Sequence, residues 1–335
     1  METPASPREQ IMELAYGYQP ACVLGTAAEL DLFTQLGDRE LTPADLADAL
    51  DTDARATAML ADALSALGLL EKRAGRYSVP PEFRPLLVSG GPQTVVPLLQ
   101  HGMNVIRGWA MLGWTVKAGM PAPRTPSTRG PAADRASFIA AMHSVSGPMA
   151  DGLIARLGPP KFEHLLDVGG ASGTWTIAFL RAVPGARATI FDLPDALAQA
   201  RERFADHELA DRVDFAPGDF YLDELPGGAD FAWLSAIIHQ HSRRHSRELF
   251  GKVFTALRPG GQIAVRDVVI EPDRTQPRFG AMFAINMLVN TQSGGTYTFE
   301  EIADDLQYAG FVEPELAVRA ADMNSVVRAR KPNGG

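Results

Sequence analysis

Residues 165–193 read LLDVGGASGTWTIAFLRAVPGARATIFDL, and the fold turns on this stretch. Leu165 to Val168 is a short apolar run with one acid, Asp167, near its end. A buried parallel strand leading into a site has that composition. Gly169, Gly170 and Gly173 fill the turn after it. Trp175 to Val183 carries apolar residues at helical spacing, and Pro184-Gly185 stops it. Ala188 to Phe191 is a second apolar run, with Asp192 at its carboxyl end. Two parallel strands joined by a helix place a ligand at the carboxyl ends of the strands. The glycines allow close backbone approach, and Asp192 can accept hydrogen bonds from ribose hydroxyls. A nucleotide-like ligand is expected, although a βαβ unit with a tight turn and no ligand would read the same way.

The turn narrows the ligand. Hydride cofactors use G-x-G-x-x-G, with the pyrophosphate on the helix N-terminus. Here the turn is D-V-G-G-A-S-G, with Ala171 where D-x-G-x-G-x-G wants its middle glycine. It matches the S-adenosylmethionine version better than the dinucleotide version.

The chain of 335 residues is long enough for two domains. Its 46% hydrophobic and 21% charged residues are a globular composition. The net charge of −9 argues against nucleic acid or an anionic membrane as main partner. One cysteine, Cys22, excludes an intrachain disulfide and fits a reducing compartment. METPASPREQ lacks the apolar core of a signal peptide, and no run approaches the ~20 apolar residues of a membrane span. A cytoplasmic location is expected.

Residues 7–35 read as helix interrupted near Pro20, with apolar residues on every face, among them Ile11, Leu14, Tyr16, Tyr18 and Phe33. Such a helix must be buried, against its own domain or a second subunit. Residues 38–79 look like a winged helix. Thr42-Pro43 starts one helix, Thr52 to Leu67 is a second, and Leu69 to Val79 is a hairpin turning at Ala74-Gly75. The second helix carries Asp53, Arg55 and Asp62, the wrong charge for a DNA reader. Residues 93–118 are helical, 120–132 form a proline-rich connector, and 133–157 form a helix kinked at Gly147-Pro148. Pro159-Pro160 marks the domain boundary.

Beyond Asp192, residues 194–204 are helix and 213–215 a strand, followed by Gly218-Asp219-Phe220. Asp219 beside Phe220 suits adenine: the carboxylate accepts from the exocyclic amine and the ring packs on the base. The same tripeptide also makes an ordinary turn. Residues 229–235 are the fourth strand, ending near His239; 242–257 are helix, and 262–267 the fifth strand. Helices at 279–289 and 299–309 and a strand pair within 313–329 complete the chain. Alternating strands and helices give a doubly wound α/β sheet.

LLDVGGASG, FDLP, GDF, the His239 segment and LRPGG stand in this order. With them, the chain resembles the cation-independent, S-adenosylmethionine-dependent small-molecule O-methyltransferases, which include plant caffeate-type and hydroxyindole enzymes and bacterial natural-product relatives. The resemblance covers nearly the whole chain. It implies a class I methyltransferase fold, a Rossmann-like doubly wound sheet, with an N-terminal, mostly helical winged-helix dimerisation domain. It implies S-adenosylmethionine as donor and a homodimer. The corresponding divisions are 1–120 for dimerisation, 121–158 for a linker and bridging helix, and 159–335 for donor binding and catalysis.

The resemblance makes Gly169 the close-approach glycine at the donor's methionine end. It puts Asp192 and Leu193 at the ribose, Asp219 and Phe220 at the adenine, and Ser235 at a further donor contact. His239 matches the catalytic base and Asp267 the acid that orients it. Phe138, Met142, Phe283, Met287 and Asn290 are candidates for lining the acceptor pocket, and the same residue types at helical spacing also build cores. Three departures stand out. Gln240-His241 follows the base where Asp-Trp is usual, Arg266 precedes a shorter acid than the usual Glu, and Thr296-Tyr297 stands where a second acid often follows the glycine pair.

Methyl transfer from a sulfonium to a hydroxyl needs an in-line nucleophile and a route for its proton. A histidine fixed by an acid on its other nitrogen supplies that route. His241 and His245 raise a metal alternative, but no carboxylate near them in the sequence completes a set. The expected function is O-methylation of an aromatic hydroxyl in secondary metabolism, without metal. The alternatives are C- or N-methylation, a donor-bound enzyme that transfers no methyl, and, in another class, a winged-helix DNA-binding regulator.

Overall fold

The computed structural model describes residues 6–158 and 161–334; the boundary expected at Pro159-Pro160 lies outside them. The chain forms two compact units. One is Met1–Arg107 with Thr125–Ser144, the other Gly108–Arg124 with Val145–Gly335.

The first unit opens with α1 (Pro7–Tyr16), α2 (Tyr18–Glu29) and α3 (Leu32–Leu36). The break falls at Gly17, ahead of Pro20. Pro20 sits in the first turn of α2, where its missing N–H would have had no helical partner. α1 buries no residue, and Ile11 and Leu14 are 65% and 71% exposed. Burial against its own unit is therefore not what this apolar surface does. Then follow α4 (Pro43–Leu50), α5 (Ala54–Ala66), β1 (Glu71–Arg73) and β2 (Arg76–Ser78), the helix–helix–hairpin order of a winged helix. Thr42 and Asp45 form a reciprocal capping box at α4. Asp53, not Thr52, caps α5, so that helix starts later than its sequence suggests. Ala74 and Gly75 both have positive φ, as a tight two-residue hairpin turn requires. α6 (Arg84–Leu87) and most of α7 (Val96–Trp109) complete this part. Its core gathers Phe33, Leu46, Leu64 and Tyr77.

α8 (Leu112–Ala118) belongs to the second unit, and residues of α9 (Pro131–Leu157) fall in both. The second unit is built on a seven-stranded sheet. Its strands are β3 (His164–Val168), β4 (Arg187–Asp192), β5 (Val213–Pro217), β6 (Ala229–Ser235), β7 (Leu257–Asp267), β8 (Val312–Val318) and β9 (Ser325–Arg330). Their order is β5-β4-β3-β6-β7-β9-β8, parallel from β5 to β7 and antiparallel at β9 and β8. β7 starts at Leu257, so Arg258-Pro259-Gly260-Gly261 lies within the strand rather than in a turn before it.

The chain winds outward from β3 to β5, then returns to lay β6 on the other side of β3. That reversal is the topological switch point, where open α/β sheets bind ligands. α10 (Thr174–Ala182), α11 (Pro194–Phe204), α12 (Arg243–Ala256), α13 (Arg278–Asn290) and α14 (Phe299–Tyr308) complete the unit.

Strand alternation sorts the core into two layers. Leu165, Ile190, Trp233 and Ala264 pack with Ile154 and Phe179 on one face. Leu166, Phe191, Leu234 and Val265 pack with Phe250 and Leu306 on the other. Consecutive residues at a strand end therefore serve different faces. The expected class I methyltransferase fold with its helical N-terminal part is the fold observed.

Candidate active site

The glycine turn follows β3. Gly169 has φ +69, and its N–H donates to the Phe191 carbonyl at 2.8 Å. A side chain there would meet Ile237 Cδ1 at 2.5 Å, so packing and the positive φ both call for glycine. Ala171 adopts φ +43, the left-handed region that glycine takes without penalty. Its N–H donates to Asp192 Oδ2 at 2.7 Å, which holds the turn in that shape.

Asp192 ends β4. Its Oδ1 accepts the Leu193 N–H at 2.7 Å. Each carboxylate oxygen thus takes one backbone N–H and keeps a lone pair, the arrangement a vicinal diol needs. Burial pushes the Asp192 carboxyl up, against the pull of these two N–H groups. Leu193 is half-exposed beside it. After β5, Asp219 Oδ1 accepts the Tyr221 N–H at 2.8 Å, and among the described residues Oδ2 has no partner. The Phe220 ring lies edge-on to His241, at 5.6 Å between centroids. These acids and this aromatic fit a nucleoside donor on their own chemistry.

Ser235 ends β6 and accepts from Arg266 Nη1 at 3.0 Å. Gly169 and Ser235 directly follow the paired residues Val168 and Leu234, so they are neighbours across the switch point. Asp167, on β3, is fully buried; its Oδ2 accepts the Thr176 hydroxyl at 2.6 Å and its Oδ1 has no partner among the described residues. Burial raises the Asp167 carboxyl to about 7.

The other face carries the candidate catalytic pair. A single turn of 3-10 helix at Ile238–Gln240 places His239 beside the end of β7. His239 Nδ1 lies 2.8 Å from Asp267 Oδ1 and 3.0 Å from Oδ2; both residues are buried. The carboxylate also accepts the backbone N–H of Val268 at 2.7 Å and of His239 at 3.3 Å. Because a carboxylate only accepts, Nδ1 carries the ring proton and Nε2 keeps its lone pair. The Gly294-Gly295 turn packs under this residue. Gly295 N–H donates to the His239 carbonyl at 2.9 Å, and a Cβ on Gly294 would come within 2.3 Å of that oxygen.

Phe283 on α13 meets the His239 ring edge-on at 4.9 Å and stacks on Phe279. Met287 is buried. Asn290 is half-buried and donates to the Asn286 carbonyl at 2.8 Å, while Trp109 Nε1 donates to Asn286 Oδ1 at 3.0 Å. Phe138 and Met142 belong to the first unit, where Phe138 lies edge-on to His101 at 5.1 Å. Of the acceptor candidates on α13, Phe283 is the one whose ring meets His239.

The departures form two networks. Tyr297 donates its hydroxyl to the His241 carbonyl, and Tyr221 Oη lies 2.6 Å from His241 Nδ1. Burial, with smaller repulsion from His239 and His245, lowers His241 to about 4, so the ring is neutral; burial first raises Tyr297 to about 12. Phe220, Tyr221, His241, His245 and Lys252 line a small pocket of about 60 Å³ there. Arg266 and Ser235 form the second network. Gln240 remains exposed, donating to the Ala236 carbonyl at 3.1 Å. Sequence reading missed Tyr221 and Asn324, which lie in loops with no spacing to betray them. Among the described residues no three His, Cys, Asp or Glu side chains gather to hold a metal ion.

A glycine turn, an acid ending the next strand and a histidine–carboxylate pair stand together at the carboxyl ends of parallel strands, where open α/β sheets bind ligands. Residues 114–312 match the O-methyltransferase domain and residues 12–83 the O-methyltransferase dimerisation domain. The chain belongs to this family of S-adenosylmethionine-dependent O-methyltransferases. It is 32% identical over 332 residues to the tetracenomycin polyketide synthesis 8-O-methyl transferase TcmO of Streptomyces glaucescens, covering 96% of each chain. It is 30% identical to the 3-hydroxy-5-methyl-1-naphthoate 3-O-methyltransferase of Streptomyces sahachiroi, over 90% of this chain and 89% of that one. The solved structure of PigF with SAH matches at a TM-score of 0.85 and 26% identity, over 98% of this chain and 100% of that one; PigF is a methyl transferase of a Serratia species. Among the described residues no helix is long and apolar enough to cross a membrane.

Proposed function

We propose that this enzyme methylates a hydroxyl on an aromatic small molecule of natural-product assembly, with His239 as general base and Asp267 as its positioning residue. The 2.8 Å contact between His239 Nδ1 and Asp267 carries the reading. S-adenosylmethionine, when bound, supplies an electrophilic methyl on a sulfonium. Asp192 would accept from its ribose hydroxyls, with Leu193 beside them. Asp219 would accept from the adenine amine with Phe220 against the base, and Gly169 would admit the methionine end. His239 Nε2 takes the hydroxyl proton as the oxygen attacks. Asp267 holds the productive tautomer and stabilises the imidazolium that forms. A free phenol at about pKa 10 and an imidazole at about 6.5 are mismatched by roughly 3.5 units, so proton loss must accompany attack rather than precede it.

Phe283, packed on the His239 ring, would form one wall for an aromatic acceptor, with Met287 and Asn290 further along α13. The exposed apolar surface of α1 and the dimerisation-domain match support a homodimer, which we place in the cytoplasm as part of the same proposal.

A panel of phenols, hydroxynaphthoates and polyketide aromatics, assayed for S-adenosylhomocysteine release and product mass, tests this reading. An accepted substrate should gain one methyl on oxygen. His239→Ala should lower kcat by about 10²-fold or more and leave S-adenosylhomocysteine binding intact. Methylation at carbon or nitrogen, or unchanged turnover in the variant, would refute it.

A further inference from the structure

Arg266 is 2% exposed, yet among the described residues no carboxylate lies within ion-pair distance of its guanidinium. Its neighbours are neutral. Nε and Nη2 donate to Asn324 Oδ1 at 3.0 and 2.8 Å, Nη1 donates to Ser235 Oγ at 3.0 Å, and Nη2 lies 3.9 Å from Met149 Sδ. The Trp175 ring covers the guanidinium at 4.6 Å. Asp267 is the next residue on β7, but its carboxylate is bound to His239, on the opposite face. Asp322 reaches Arg266 only through Asn324, whose Nδ2 donates to Asp322 Oδ2 at 3.0 Å. A buried cation without an anion is costly, because its lost hydration is not replaced by a counter-charge. Burial accordingly lowers this arginine to about 10, with Asp267 and Asp322 pulling weakly the other way.

The surroundings say what would complete the set. Ser235 is half-exposed, and while its oxygen accepts from Arg266 its own O–H proton has no acceptor among the described residues. Ser235 stands beside Gly169 across the switch point. Trp175 belongs to the first turn of α10, which opens after the glycine turn with its backbone N–H groups toward the strand ends. A second donor, half-exposed, is thus poised next to a buried cation. On the same sheet face, Asp167, next to last on β3, keeps one buried oxygen with no partner among the described residues. A buried cation with a half-exposed serine donor in front of it matches the carboxylate of an amino acid.

We propose that Arg266, with Ser235 as the contacting hydroxyl, is the counter-cation for the α-carboxylate of the donor's methionyl end. This rests on the donor reading given above. Arg266 supplies the charge from the neighbouring strand, and Ser235 delivers the hydrogen bond. It is a positioning and specificity device for the donor and takes no part in the chemical step.

The test is calorimetric binding of S-adenosylhomocysteine and of its decarboxylated analogue, which keeps adenosine, thioether and amine but lacks the carboxylate. The wild-type protein should prefer S-adenosylhomocysteine. Arg266→Met should weaken that ligand by roughly tenfold or more, as loss of a charge-assisted hydrogen bond does, and leave the analogue within about twofold. Arg266→Lys, which keeps the cation, should recover part of the loss. Ser235→Ala should show a smaller loss with the same dependence on the carboxylate, and it answers the question if Arg266→Met does not fold. Equal weakening of both ligands would make Arg266 a structural tie and overturn the proposal. So would equal affinity of the wild-type protein for the two. Binding of neither by the wild-type protein would instead remove the donor reading beneath it.

Discussion

The glycine turn and the histidine–carboxylate pair sit at the same end of one sheet but are built in different ways. The turn is made by backbone. Gly169, Ala171 and Asp192 come from one continuous stretch, and two of the three are tied together by main-chain N–H groups. The pair is made by side chains. His239, Asp267 and Phe283 come from a 3-10 turn, a strand end and a helix, joined by contacts across 28 and 44 residues of chain. A backbone site tolerates change in its side chains, as Ala171 in a glycine position shows. A side-chain site has no such slack, because each member is held by the others. The two regions should therefore fail differently when altered.

The sharpest break is Asp267→Asn. The amide keeps the shape but can offer its NH₂ to Nδ1, which favours the wrong tautomer. With an accepted phenol, kcat should fall by about 10²-fold or more, and S-adenosylhomocysteine affinity should hold within about twofold. A parallel loss of both would mean that the two regions are one unit. The converse is Asp192→Ala. Loss of the acceptors proposed for two ribose hydroxyls should weaken S-adenosylhomocysteine by about tenfold to a hundredfold. At saturating donor, kcat should stay within a few-fold, read from initial rates. A collapse of kcat with donor affinity intact would assign Asp192 to catalysis instead.

The same contrast explains what could be read from sequence. The βαβ unit was legible because its signals are local: apolar runs, a glycine turn, and an acid in register. The sorting of the core into two faces follows from alternation along each strand, while the strand order is set by which strands pair in the folded sheet. The edges of elements were less legible. α5 begins at Ala54 because Asp53 outcompetes Thr52 as cap, and β7 runs through Pro259-Gly260-Gly261 because that segment stays in the strand. Sequence could not tell that α1 exposes its apolar residues, since periodicity reports an apolar face and not what covers it. In the candidate site, His239 and Asp267 stand out by spacing matched to the resemblance. Their pairing is what the resemblance implies, whereas the join between Tyr221 and His241 and that between Arg266 and Asn324 carry no such signal. Those depend on which strand ends meet, a property of the folded sheet.

The smallest effect discriminates the two regions by the sign of a slope. Asp167, under the glycine turn, has a folded value of about 7 against 3.8 for the free side chain. Between these values the folded state holds more protons than the unfolded one. Its contribution is therefore present below 3.8 and is lost as pH rises through 7. His241, beside the His239–Asp267 pair, has a folded value of about 4 against 6.5. Here the unfolded state holds more protons, so the contribution is present above 6.5 and is lost as pH falls toward 4. The two slopes oppose each other across most of this window. Asp167→Asn removes the falling arm, so Tm should rise from about pH 4 to about pH 6.5. His241→Gln removes the rising arm, so Tm should fall from about pH 4 to about pH 7. Thermal melts of both variants over that range decide the matter. Curves that run parallel to the wild-type protein would show that neither group is held in its buried, neutral form, and the electrostatic contrast between the two regions would be gone.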